Sequence, residues 1–146
     1  MRFHHVGISV ADLGRSIDFY RDMLGMELST PPFDPVAMGA GPVMGLPGAE
    51  VRLAVVRRNN LALELFEFTR PTPTTQAVDR PVADHGITHF GVDVDDIRAM
   101  HAHMLAHGVT FHSPVTEFPD GLLAVYGRDP DGNVFEMVQS PARGQG

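Results

Sequence analysis

The sequence predicts an α+β fold assembled from two copies of one strand–helix–strands unit. Two observations carry this expectation. A nine-residue motif recurs 84 positions along the chain, and each copy is followed by a helical pattern that ends at a glycine. The first copy is His5-Val6-Gly7-Ile8-Ser9-Val10-Ala11-Asp12-Leu13, and the second is His89-Phe90-Gly91-Val92-Asp93-Val94-Asp95-Asp96-Ile97. His, Gly, Val10/Val94 and Asp12/Asp96 coincide.

The elements follow in order. Val6, Ile8 and Val10 alternate with His5, Gly7 and Ser9, which is strand period two, and Phe90, Val92 and Val94 do the same in the second copy. Asp12 is placed to cap the first helix, and Asp95 or Asp96 the second, by accepting a free backbone N–H. Leu13, Ile17, Tyr20 and Leu24 recur at helical spacing, as do Ile97, Met100, Met104 and Leu105. Gly25 and Gly108 suit the left-handed residue that closes a helix. Strand patterns then cover Glu50 to Val56 and Leu61 to Phe68, separated by Arg58-Asn59-Asn60. In the second half they cover Leu122 to Gly127 and Val134 to Gln139. Asp129-Pro130-Asp131-Gly132 between the last two is a strong hairpin signal.

The halves span about residues 1–70 and 84–140, and the Pro- and Thr-rich stretch Arg70 to Asp84 links them into a single domain, 1–146. Ser29 to Gly48 and Phe111 to Gly121 resist assignment. Each has room for a short strand and a loop of the length often found in lids. Their apolar members Phe33, Met38, Met44, Leu46 and Phe118 suit either a pocket cover or the core.

Composition narrows the function. A hydrophobic fraction of 43% with 20% charged residues is globular, and a formal charge of -7 without clustered basic residues argues against a nucleic-acid partner. No apolar run approaches the roughly 20 residues that cross a bilayer, so no membrane partner is expected. Phe3-His4-His5 enters a strand pattern at once, so no signal peptide is expected and the cytoplasm is the expected location. The chain has no cysteine, so any metal must sit on imidazole or carboxylate.

Side-chain parity singles out four residues. His5 and His89 fall on the strand face opposite the β-branched and aromatic residues, beside the small Gly7, Ser9 and Gly91. Leu61, Leu63 and Leu65 alternate away from Glu64, and Phe135 and Met137 away from Glu136. A carboxylate in so apolar a strand is costly to desolvate unless something neutralises it. One divalent cation held by His5, Glu64, His89 and Glu136 would neutralise both. Singly, each of these has a bland reading as a surface or hydrogen-bonded residue; the fourfold repeat favours the metal. His4, His85, His101, His103, His107 and His112 keep the bland reading, with the three on the second helix taken as its polar surface. Glu67 is read as solvated and Asp93 as a strand-end residue.

The motifs His5 to Leu13 and Phe19-Tyr20-Arg21-Asp22-Met23-Leu24-Gly25-Met26 resemble the opening of the vicinal oxygen chelate superfamily. That group includes glyoxalase I, methylmalonyl-CoA epimerase, extradiol dioxygenases and antibiotic-resistance proteins. Leu63-Glu64-Leu65, Gly86-Ile87-Thr88-His89 and Asp129 to Glu136 resemble its later motifs. The resemblance implies paired βαβββ modules whose curled mixed sheets enclose a metal site. It places His5, Glu64, His89 and Glu136 at the four ligand positions, a set most similar to microbial glyoxalase I. Methylmalonyl-CoA epimerases typically carry Gln, and extradiol dioxygenases and fosfomycin-resistance transferases His, where this chain has Glu64. The glutathione-binding positions of glyoxalase I hold Ser9 and Phe68 here, which counts against glutathione conjugates as substrates.

Such a donor set suits Ni, Co, Zn, Mn or Fe(II) and leaves positions for a substrate with neighbouring oxygens. The expected reaction is proton abstraction beside a carbonyl, with the metal stabilising an enediolate or enolate. Glu136 is the expected base, by analogy with glyoxalase I, and Glu64 the other catalytic carboxylate. A lyase or isomerase acting on a small oxygenated substrate is the first expectation. An acyl-CoA epimerase, an extradiol-type dioxygenase and a non-catalytic drug- or metabolite-binding protein remain open. By resemblance the chain forms a homodimer.

Overall fold

The structure, a computed structural model, describes residues 1–141, so the last five residues of the expected 1–146 domain lie outside it. The chain divides into two compact units, Met1–Thr75 and the part from Gln76 onward. The division falls inside the expected link.

In the first unit, β1 (Val6–Ser9) leads into α1 (Leu13–Leu24), followed by β2 (Glu27–Phe33), β3 (Glu50–Arg58) and β4 (Leu61–Arg70). The sheet order is β1-β4-β3-β2, with β1 parallel to β4 and the other neighbours antiparallel. Asp12 caps α1 by accepting the Arg15 N–H, and Gly25 closes it with φ 61°. Leu13, Ile17, Tyr20 and Leu24 are all buried, as their spacing predicts, together with Ser16 and Met23. They meet Ala54, Val56, Leu63 and Leu65 on the sheet, all fully buried or nearly so. Asn59 takes a left-handed φ of 51° in the turn between β3 and β4.

The second unit repeats this plan. β5 (Phe90–Asp93) leads into α2 (Ile97–Ala106), then β6 (Thr116–Glu117), β7 (Leu123–Arg128) and β8 (Val134–Gln139). The order is β5-β8-β7-β6, with β5 parallel to β8. β5 and the start of α2 lie 84 positions after β1 and the start of α1, so the motif repeat is a structural repeat. Asp96, rather than Asp95, caps α2 by accepting the Ala99 N–H. The β7–β8 turn closes on Asp129, whose buried carboxylate accepts from the Asp131 and Asn133 backbone N–H groups and from Asn133 Nδ2.

Two expectations need correction, on Leu105 and Glu67, while each of the two unassigned stretches holds a short strand as expected. Leu105 is half exposed, because it lies about 100° around the helix from buried Met104 and off the sheet-facing stripe. Glu67 is not simply solvated: its side chain is only 22% exposed and sits 3.3 Å from Arg52 on the neighbouring strand. The stretch Ser29 to Gly48 splits into β2 and a series of turns, and Phe111 to Gly121 contains β6. Of the apolar residues there, Phe33, Met44 and Leu46 are half-buried while Met38 and Phe118 are exposed; none joins the core.

Candidate metal centre

In the first unit, the parallel β1–β4 register sets Gly7 beside Glu64. His5 lies two residues before Gly7, just ahead of β1 and on the same face by strand parity. Its Nε2 comes within 3.4 Å of Glu64 Oε2. The strand neighbours of Glu64 on this face are apolar. Phe66 and Phe68 share Glu64's parity, and their rings stack with centroids 5.9 Å apart. Val55, Leu53 and Val51 stand opposite Glu64, Phe66 and Phe68 on β3. Gly7 leaves room: a Cβ there would already touch the Phe66 ring at 3.4 Å.

The second unit builds the same pair from equivalent positions. Gly91 is beside Glu136 in the β5–β8 register, and a Cβ on it would lie 3.5 Å from Glu136 Oε2. His89 Nε2 lies 3.2 Å from the same oxygen. On the other side of Glu136 stands Tyr126, its antiparallel partner on β7. The Tyr126 ring packs 4.6 Å from the His89 ring and 5.9 Å from the His112 ring, centroid to centroid.

The two histidines are held alike. Each directs Nε2 at its glutamate, while Nδ1 meets the side chain of the preceding residue. His5 Nδ1 is 2.7 Å from His4 Nδ1, and His89 Nδ1 is 2.9 Å from Thr88 Oγ1. An outer partner on the second ring nitrogen is what fixes the orientation and tautomer of a metal-binding imidazole. The spacing within each pair also fits. Two donors bonded at about 2.1 Å to one ion lie about 3.0 Å apart at a right angle and about 3.4 Å apart at a tetrahedral angle. The predicted ligands are therefore brought together two by two, His5 with Glu64 and His89 with Glu136. Among the described residues, no group of three or more His, Asp or Glu side chains is placed to hold an ion.

The surroundings shift two further groups. Burial, and then the Glu136 charge, push the Tyr126 phenol above its ordinary value. Desolvation, and then the Arg128 charge, hold the His112 imidazole below its ordinary value. Parity along single strands does not mark Tyr126, and neither His4 nor His112 has a counterpart in the repeat. The hairpin carried the signal for Tyr126: pairing outward from the Asp129–Gly132 turn matches Arg128 to Val134, Gly127 to Phe135 and Tyr126 to Glu136. Asp93 behaves as expected of a strand-end residue, with its carboxylate accepting from the Ser140 N–H and hydroxyl.

Residues 2–137 match the sequence profile of the Glyoxalase/Bleomycin resistance protein/Dioxygenase superfamily. The chain belongs to this superfamily. Within the superfamily it is 29% identical to a 2-epi-5-epi-valiolone epimerase of Actinomyces sp., over 95% of this chain and 79% of that protein. It is 30% identical to the mitochondrial methylmalonyl-CoA epimerase of Mus musculus, over 67% of this chain and 48% of that one. A lactoylglutathione lyase of Arabidopsis thaliana is 24% identical over 94% of this chain and 44% of its own length. This superfamily member thus spans less than half of those last two relatives. A glyoxalase family protein from Bacillus cereus shares the fold with a TM-score of 0.86 at 23% identity, covering 95% of this chain and 93% of the other.

Proposed function

We propose that the protein is a divalent-metal-dependent lyase or isomerase that removes a proton beside a carbonyl of a small oxygenated substrate. His5, Glu64, His89 and Glu136 are its metal donors and Glu136 its base. The observation that supports this most is the duplicated His–Glu pair, with the same nitrogen facing the same kind of oxygen at 3.4 and 3.2 Å. A bound divalent ion would supply Lewis-acid stabilisation of the negative charge that develops on the carbonyl oxygen.

The chain's own residues set the rest. Glu136 has a histidine against one oxygen, and nothing but its own carboxylate lies within 4 Å of a Cβ built on Gly91, so a substrate C–H can approach a carboxylate that is partly exposed and not sterically covered. Tyr126 closes the opposite flank and keeps its proton at neutral pH, so it remains a donor. The Phe66–Phe68 wall by Glu64 offers an apolar surface for the non-reacting part of a substrate. The chain contains neither lysine nor cysteine, so it offers no side-chain amine for an imine and no thiolate of its own.

An epimerase is the specific form favoured by the relatives, since two of them are named as epimerases, one of a valiolone and one of an acyl-CoA thioester. Epimerisation needs the same step, a proton leaving and returning beside a carbonyl. The test is solvent-deuterium exchange into a panel of cyclic polyol ketones, 2-substituted acyl thioesters and 2-oxoaldehyde adducts, using metal-loaded protein. Exchange that disappears in Glu136→Gln supports the proposal. Exchange that persists undiminished in Glu136→Gln, or in fully demetallated protein, rejects it. Within this reading the working unit is a homodimer, and sedimentation that finds a fully active monomer would contradict that part.

A further inference from the structure

We propose that His103 and His107 form a surface site for a divalent transition-metal ion at the C-terminal end of α2, separate from the His–Glu pairs. The two residues stand one helical turn apart on an exposed face, with ring centroids 4.3 Å from each other. That spacing lets both rings turn a nitrogen toward one point outside the helix. The site lies on the other side of the sheet from Glu136: α2 packs on β8, whose buried Phe135 and Met137 alternate with Glu136.

One ring is already set for ligation. His107 Nδ1 lies 2.8 Å from the His103 backbone carbonyl oxygen. A carbonyl oxygen can only accept, so Nδ1 carries the proton and donates. In the neutral ring the lone pair is then on Nε2, the nitrogen directed away from that carbonyl. This is the arrangement that orients metal-binding histidines, in which the outer nitrogen donates to a backbone carbonyl. The location helps as well. His103 lies in the last turn and His107 caps the helix, the end where the helix dipole places partial negative charge and favours a cation. His101 does not join them, because its ring packs on Phe111 at 4.4 Å. Two imidazoles suit Cu2+ above Ni2+ and Zn2+, with water filling the remaining positions.

The test titrates NiCl2 and then CuCl2 into the chain carrying His5→Ala and His89→Ala, so that metal uptake by the His–Glu pairs is suppressed whether or not they bind in the native protein. Calorimetry should find one Ni2+ site, with tighter Cu2+ binding. Replacing either His103 or His107 alone with Ala should weaken it roughly a hundredfold, as expected when one of two linked contacts is removed. Ni2+ should also raise the melting temperature, because it clamps one turn of α2, and this rise should vanish in both single variants. Unchanged Ni2+ affinity in the His103→Ala/His107→Ala variant, loss from only one of the two substitutions, or no binding in the parent chain would each overturn the proposal. Both side chains are exposed, so the substitutions remove no core contact.

Discussion

Tyr126 stands directly across the β7–β8 ladder from Glu136, with its ring 4.6 Å from the His89 imidazole. The raised phenol follows from this position. In metal-free protein, ring-labelled tyrosine followed by NMR should show Tyr126 ionising above the ordinary value of 10.0. Glu136→Gln should reverse only part of the shift, because burial is the larger cause and remains. A group whose folded value is raised contributes stability below its unfolded value and loses it as pH climbs through the folded one. The alkaline limb of the stability curve should therefore soften in Tyr126→Phe. A titration of Tyr126 at or below its ordinary value would contradict the packing.

His112 behaves in the opposite sense. Its folded value is held below 6.5, so its neutral form is favoured in the native state. The corresponding stability is present above 6.5 and is lost as pH falls through the lower folded value. Melting temperatures measured on descending pH through that window should drop less in His112→Gln than in the wild type. Equal acid sensitivity of the two would show that His112 does not titrate as its environment implies.

Gly127 is needed for packing rather than for backbone freedom. A Cβ there would come 2.5 Å from Phe135 Cζ and 2.9 Å from Phe111 Cε1, and the Phe135 side chain is fully buried. Gly127→Ala should cost about 1–3 kcal/mol, the usual range for forcing volume into a filled core. Urea unfolding measures this directly, and a neutral result would mean that the two rings yield freely.

The turn carboxylate of Asp129 makes a separate contribution. It is 5% exposed and satisfies three donors, so Asp129→Ala strands them near the β7–β8 connection. A loss of about 2–3 kcal/mol is expected. Amide exchange should accelerate first in β7 and β8, and protection that stays uniform across those strands would argue against this role.

Much of the fold could be read from the residues. The repeat of His5–Leu13 in His89–Ile97, the Asp caps and the closing glycines mark local physics, and local physics sits in adjacent residues. Parity also placed Glu64 and Glu136 opposite the leucine and Phe135–Met137 layers. What was not legible depended on pairing. Arg52 beside Glu67, and Tyr126 beside Glu136, are cross-strand neighbours 15 and 10 positions apart, and become visible only once a register is known. Leu105 misled for a related reason: its spacing suits a helix face, but the sheet covers a narrower stripe centred on Ile97 and Met104. The outer partners of the two histidines, His4 and Thr88, share no residue type, so no sequence repeat flagged their common position.

Elemental analysis of protein purified without chelators tests the duplicated His–Glu arrangement most directly. It should be done in a His103→Ala/His107→Ala background, so that surface uptake on α2 does not count. One ion per chain is expected, falling to near zero in His5→Ala and equally in His89→Ala, because under the proposed function both imidazoles are metal donors. Undiminished metal in either variant, or none in the parent, would contradict the proposed metal dependence.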